Sequence, residues 1–133
     1  MLYTKGYKYQ LQDPVTYMTP FHVKDKAHAG KFITLNASGL LLIHAGYAWD
    51  GASGPAIDTK TFIKGSLIHD ALYQLIRYKI LYKKDRITCD KILRDVCIEQ
   101  GMSKIRAWWV YHGLKVFGGA AAAPRNRRKI IEI

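Results

Sequence analysis

The chain has 133 residues, of which 49% are hydrophobic, and this length and composition exclude a disordered chain and are typical of one globular domain. The formal net charge is +11, from 21 basic and 10 acidic residues. That charge predicts an anionic partner, which is a nucleic acid, a phospholipid surface or an acidic assembly protein, and does not choose among them.

The first 50 residues carry the short alternating patterns of β-strands. Strands are predicted over residues 7–12, 15–18, 31–35 and 40–43. The segment Asn36-Ala37-Ser38-Gly39 is a turn signal, so the last two strands should form a hairpin. We expect residues 1–50 to form a small antiparallel β-sheet.

The second half has the spacing of amphipathic helices. Residues 51–58 are a predicted loop, and residues 59–117 a three-helix region with helices over about 60–79, 85–100 and 103–117. Residues 118–133 read as a small-residue linker and a basic tail. The predicted fold class is therefore α+β, with residues 1–133 in a single domain.

Two cysteines, Cys89 and Cys97, lie eight residues apart on one predicted helix. They would be about 12 Å apart along the axis, which excludes a disulfide while the helix stands. We read both as buried thiols in a reducing compartment. The N-terminus lacks a signal-peptide core, and no apolar run approaches about 18 residues, so no transmembrane segment is expected. Together these features predict synthesis in a cytoplasm.

A His-Asp pair on the first helix is the centre of the candidate site. His69 and Tyr73 are four residues apart and share a helix face, whereas Asp70 lies about 100° further round. Asp90 opens the second helix, and its 21-residue separation from His69 suits a helical hairpin. In that arrangement Asp90 holds one imidazole nitrogen while the other accepts a proton from water.

A hard cation such as Ca²⁺ would complete the chemistry by polarising an ester carbonyl. Asp70 faces away from His69 and is the predicted ligand on the helix. The other predicted oxygens come from a loop upstream. The metal ligands are Asp70, Asp50, Trp49 and Gly51, and Ser53 and Gly54 complete the site loop.

The pattern His69-Asp70-x-x-Tyr73, with Cys89-Asp90 opening the next helix, resembles the active site of the phospholipase A2 superfamily. The resemblance implies that His69 is the general base, that Asp70 binds calcium, and that Asp90, helped by Tyr73, orients the histidine. It also implies an antiparallel helix pair. The short spacing is similar to that of compact members such as the parvovirus capsid domain. The superfamily's disulfide framework is absent.

A second resemblance rests on Trp49-Asp50-Gly51-Ala52-Ser53-Gly54-Pro55 together with His69-Asp70-Ala71-Leu72-Tyr73. This signature is similar to that of a family of small phage and prophage proteins of unknown function. The match covers most of residues 40–115. It implies synthesis in a host cytoplasm, with the virion as a further location.

Each site residue also has a structural interpretation. His69 and Asp90 can simply tie two helices together, and Tyr73 can be a core residue. Asp70 can be a solvated helix residue, and Asp50 and Ser53 can shape a turn. Of the adjacent Trp108 and Trp109, we expect one in the core and the other at a membrane or partner contact.

Two functions of different classes follow. The first is a phage-encoded, phospholipase A2-like hydrolase that uses the His-Asp dyad, with calcium assistance, on an ester of an anionic lipid. The second is a non-catalytic virion, tail or assembly protein that keeps the scaffold and binds phage structural proteins or another acidic partner. A nucleic-acid partner is suggested by charge only, since no recognition motif is present.

Overall fold

The computed structural model describes the backbone of residues 3–4, 9–49 and 60–122, and the side chains of residues 9–49 and 60–113. The fold is α+β, with antiparallel strands followed by three helices, as the hydrophobic patterns predict. The chain divides into two compact units, one holding the strands and the other the helices. Each is described by itself.

The described residues of the strand unit form two antiparallel sheets rather than the single sheet expected. The strands are β1 Tyr3–Thr4, β2 Tyr9–Leu11, β3 Val15–Met18, β4 Ala27–Ala29, β5 Ile33–Leu35, β6 Leu40–Ile43 and β7 Ala48–Trp49. One sheet has the order β1-β2-β7 and the other the order β3-β6-β5-β4. The sequence did not predict β1, β4 and β7, because strands of two or three residues are too short to show an alternating pattern.

The predicted hairpin between β5 and β6 is confirmed, with Leu35 opposite Leu41. Its turn requires Gly39, which has a φ of +102°. A Cβ at this position would lie 2.6 Å from the carbonyl oxygen of Thr19, so only glycine fits. The Thr19 hydroxyl donates to the Gly39 carbonyl at 2.7 Å, and this bond ties the turn to the end of β3.

The helical unit consists of α1 Lys60–Arg77, a 3₁₀ turn Lys83–Asp85, α2 Arg86–Glu99 and α3 Lys104–Ala122. Gly101 follows the end of α2 with a φ of +104°, a left-handed conformation that glycine adopts readily at helix ends. Ser103 accepts a hydrogen bond from the Arg106 N–H at 3.2 Å and caps α3. The prediction that residues 118–133 form a linker and tail is wrong at its start, because α3 continues to Ala122. The three alanines that follow Gly118 and Gly119 are strong helix formers and favour this extension.

Helices α1 and α2 pack against each other in opposite directions. Gly65 in α1 meets Leu93 and Cys97 of α2, whereas Tyr73, two turns later, meets the earlier residue Asp90. A glycine inside α1 costs helix propensity, and the close approach of α2 explains it. A Cβ at Gly65 would lie 2.7 Å from Cys97 Sγ and 2.8 Å from Leu93 Cδ1.

Gly65→Ala is therefore expected to destabilise the chain although alanine is the better helix former. Overpacking a tight core costs about 1–3 kcal/mol, against a propensity gain of about 1 kcal/mol. Gly113→Ala is the matched control in α3, because no described atom lies within 4 Å of the Cβ it would add. Urea unfolding should show a lower midpoint for Gly65→Ala and an unchanged or higher one for Gly113→Ala. Equal midpoints would contradict the close packing of α1 on α2.

Candidate active site

The structure brings His69, Asp90 and Tyr73 together between α1 and α2. His69 Nε2 lies 2.7 Å from Asp90 Oδ1, and the Tyr73 hydroxyl donates to the same oxygen at 2.5 Å. The rings of His69 and Tyr73 are 4.0 Å apart between centroids, inclined at 41°. The helical spacing of the three residues is thus sufficient to bring their polar atoms into one hydrogen-bonded cluster.

The buried environment of Tyr73 determines the protonation state of its hydroxyl. Desolvation, followed by the hydrogen bond to Asp90 and the charge of Asp90, raises the pKa of Tyr73 well above its ordinary value, and the nearby Arg86 opposes the rise. The phenol therefore keeps its proton at neutral pH and donates to Asp90. Because the carboxylate accepts, it favours the neutral imidazole tautomer that carries its proton on Nε2 of His69.

That tautomer leaves Nδ1 of His69 as the nitrogen with a lone pair. The His69 side chain keeps 8% of its surface accessible, whereas the Asp90 side chain keeps none. Asp90 Oδ2 is buried and has no hydrogen-bond partner among the described residues. The carboxylate is thus an internal support for an imidazole that keeps a small accessible fraction of its surface. Orientation by a buried carboxylate is one feature of a general base.

The calcium site predicted from the sequence is not assembled by the described residues alone. Asp70 is partly buried on α1, and no cluster of three or more His, Cys, Asp or Glu side chains occurs in the described part of the chain. Calcium takes about six to eight oxygen ligands.

Of the remaining predicted site-loop residues, Trp49 alone is among the described residues. Trp49 lies in β7 of the strand unit, where its ring is 5.4 Å from that of Tyr9 and 6.5 Å from that of Tyr47. Asp50, Gly51, Ser53 and Gly54 lie outside the described residues.

Helix α1 buries polar side chains beyond the dyad, which the hydrophobic pattern did not predict. Gln74 and Arg77 are 1% and 7% exposed, although side chains of these types are mostly exposed in folded proteins. Arg77 follows Tyr73 by four residues, so the spacing that paired Tyr73 with His69 also extends this face to Arg77. Arg86, one turn before Asp90 in α2, was missed too. Its positive charge acts to lower the pKa of the Tyr73 hydroxyl. The four-residue spacing of Arg86 and Asp90 on α2 was the sequence feature that could have identified it.

Both cysteines are free and buried, as expected. Burial is the main cause that raises the pKa of Cys97 to about 12, and burial together with the charge of Asp90 also raises the pKa of Cys89. Native thiols at these positions are poor nucleophiles at neutral pH. We assign them a packing role.

Alkali is expected to destabilise the chain through these thiols. Above the ordinary cysteine pKa the unfolded chain releases protons that the folded chain retains, so the free energy of unfolding falls as pH rises. The loss is about 2 kcal/mol per thiol at about pH 10.5. Urea unfolding at about pH 8 and pH 10.5 measures the fall. In Cys97→Ala the fall should be about 2 kcal/mol smaller, and an unchanged fall would contradict the raised pKa.

A family model described as "Protein of unknown function (DUF1353)" matches residues 30–114. The chain belongs to this family. The prediction of an uncharacterised family is thereby confirmed, and the matched range contains His69, Tyr73 and Asp90. No curated protein and no solved structure matches the chain.

Proposed function

We propose that this DUF1353 chain is a hydrolase of the phospholipase A2 type, acting on an ester of an anionic lipid. The observation that carries the proposal is the 2.7 Å contact of His69 Nε2 with Asp90 Oδ1, beside an imidazole that stays partly accessible. A general base needs a group that orients it, and the contact with Asp90 supports that role for His69. The net charge of +11 favours an anionic lipid over a neutral one.

The proposed reaction is water addition to the ester carbonyl. Nδ1 of His69 takes a proton from water as its oxygen bonds to the carbonyl carbon, and Asp90 stabilises the imidazolium that forms. The tetrahedral intermediate then breaks its bond to the alkoxy oxygen. His69 returns the proton to that leaving oxygen. The products are a carboxylic acid and an alcohol, and the dyad is restored.

Acyl release from a panel of esters tests this function. The panel is a water-soluble short-chain ester, phosphatidylcholine vesicles and vesicles containing phosphatidylglycerol, each with and without added calcium. Fatty acid released by the purified chain, fastest from the anionic vesicles, supports the proposal. No release from any ester under either condition would overturn it.

A calcium ion held by Asp70 is a separate proposal, supported by the place of Asp70 beside His69 on α1. When bound, calcium would stabilise the developing oxyanion. Calorimetry on the wild type and on Asp70→Asn tests it. Binding that is lost in the variant supports the site, whereas absent binding, or binding that survives in Asp70→Asn, excludes Asp70 as a ligand.

The complete burial of Asp90 favours a second candidate, a non-catalytic phage virion, tail or assembly protein. A side chain with no accessible surface can serve purely to join α1 and α2. The basic surface would then meet an acidic structural protein or packaged nucleic acid. Detection of the chain in purified particles by mass spectrometry supports this role, and a chain found only as a free monomer argues against it.

A further inference from the structure

The N-terminal half of α3 presents a contiguous apolar surface that the dyad does not use. Ile105, Trp108 and Trp109 are 76%, 50% and 67% exposed. We call these three residues the tryptophan face. The opposite side of the same helix, with Ala107 and Tyr111, is buried. The expectation that one of the two tryptophans belongs to the core is wrong, because Ala107 and Tyr111 occupy the positions that face inward.

The aromatic rings of this surface contact one another. Trp108 and Trp109 meet edge to face with centroids 5.1 Å apart, and Trp108 also lies 4.1 Å from the ring of His112. Trp108 and Trp109, together with Lys104 and Ile105, line a shallow depression. Large exposed side chains that adjoin one another mark an interaction site, whereas scattered ones need no explanation.

Charge indicates the kind of partner. Over Lys104–Ala122 the sequence of α3 contains three basic residues, Lys104, Arg106 and Lys115, and no acidic one. The chain as a whole carries +11. None of the helices searched among the described residues is long and apolar enough to cross a bilayer. A helix with an apolar tryptophan-containing face and flanking lysine and arginine is typical of the membrane–water interface.

We propose that the tryptophan face docks the chain on an anionic phospholipid surface. The side chains of Ile105 and Trp109 enter the boundary between head groups and acyl chains, while the exposed Lys104 meets lipid phosphates. The choice of lipid as the occupant rests on the proposed function, but docking requires no catalysis. It would bring an interfacial ester to the chain and raise the local concentration of substrate.

Sedimentation with vesicles tests the docking, using His69→Ala in every sample so that hydrolysis plays no part. Vesicles of phosphatidylcholine with phosphatidylglycerol are compared with phosphatidylcholine alone. We expect binding to the anionic vesicles only, falling as salt rises. Fluorescence gives a second readout, because Trp49 is 1% exposed. A blue shift on binding therefore reports Trp108 and Trp109.

Substitutions in the tryptophan face test which side chains contact the vesicle. Added to the His69→Ala chain, Trp109→Ala and Ile105→Ala should each weaken vesicle binding about tenfold or more, because each removes a large apolar side chain from the interface. Ile87→Ala in α2 is the matched control, since Ile87 is 45% exposed but lies on another helix, and it should bind normally. Unfolding midpoints check that the exposed substitutions leave the fold intact.

Three results would overturn the proposal. These are absent binding to anionic vesicles, unchanged binding in Trp109→Ala, and a dimer in solution that Trp109→Ala dissociates, which would assign the face to a second copy. Failure of docking appears as protein left in the supernatant. Failure of the proposed function appears instead as no acyl release by the wild type from any ester, including the water-soluble one that needs no docking, so the two outcomes are distinguishable.

Discussion

Asp90→Asn is expected to lower the rate of ester hydrolysis by about 100- to 10,000-fold while the chain stays folded. The amide has the shape of the carboxylate but no charge, so it cannot stabilise the imidazolium that forms on His69. Its NH₂ group can also turn toward Nε2 and favour the tautomer with a proton on Nδ1. The first effect weakens His69 as a base, and the second occupies the nitrogen that would accept the proton. Steady-state acyl release measures the loss.

Asp95→Asn is the matched control for this substitution. Asp95 lies on the same helix, and its side chain is 53% exposed and pairs with Arg94 at 3.1 Å. Its replacement should leave hydrolysis unchanged. The dyad mechanism is contradicted if Asp90→Asn retains activity comparable to that of Asp95→Asn while both variants are folded.

Asp90→Ala is expected to reduce the free energy of unfolding by about 3–5 kcal/mol. Oδ1 of Asp90 accepts from both His69 Nε2 and the Tyr73 hydroxyl, and both donors are in buried residues. Alanine leaves the two donors without their acceptor and leaves a cavity as well. Urea unfolding at neutral pH measures the change.

Two companion variants separate the contributions. Tyr73→Phe removes one donor and should cost about 1–3 kcal/mol. Asp95→Ala removes a surface ion pair and should cost less than about 1 kcal/mol. If Asp90→Ala is as stable as Asp95→Ala, the hydrogen bonds of the cluster do not stabilise the packing of α1 on α2. That result would contradict the hydrogen-bonded geometry described for the site.

The dyad was predictable because its geometry depends on local periodicity. Residues four apart share a helix face, so His69 and Tyr73 had to point the same way, and a short turn brings Asp90 back to them. Gly65 was predictable for a related reason. A glycine inside a helix is unfavourable unless a neighbour approaches closely, and Cys97 and Leu93 are that neighbour.

Features that depend on tertiary context were not predictable in this way. Gln74 and Arg77 are polar, and although Arg77 shares a helix face with His69 and Tyr73, the sequence pattern does not show that this face stays buried as far as Arg77. Trp108 and Trp109 are apolar, and the periodicity of α3 does not show which of its faces lacks a neighbour. Strands of two or three residues, such as β4 and β7, form only by pairing with neighbouring strands. They contain too few side chains to show an alternating hydrophobic pattern.

The most direct measurement is acyl release by the wild type, His69→Ala and His28→Ala under identical conditions. His28 is an exposed histidine of the strand unit that contacts Thr34 at 3.2 Å, so its replacement controls for the loss of an imidazole as such. We predict release by the wild type and His28→Ala and a loss of about 100-fold or more in folded His69→Ala. Full activity in His69→Ala would contradict the assignment of His69 as the base.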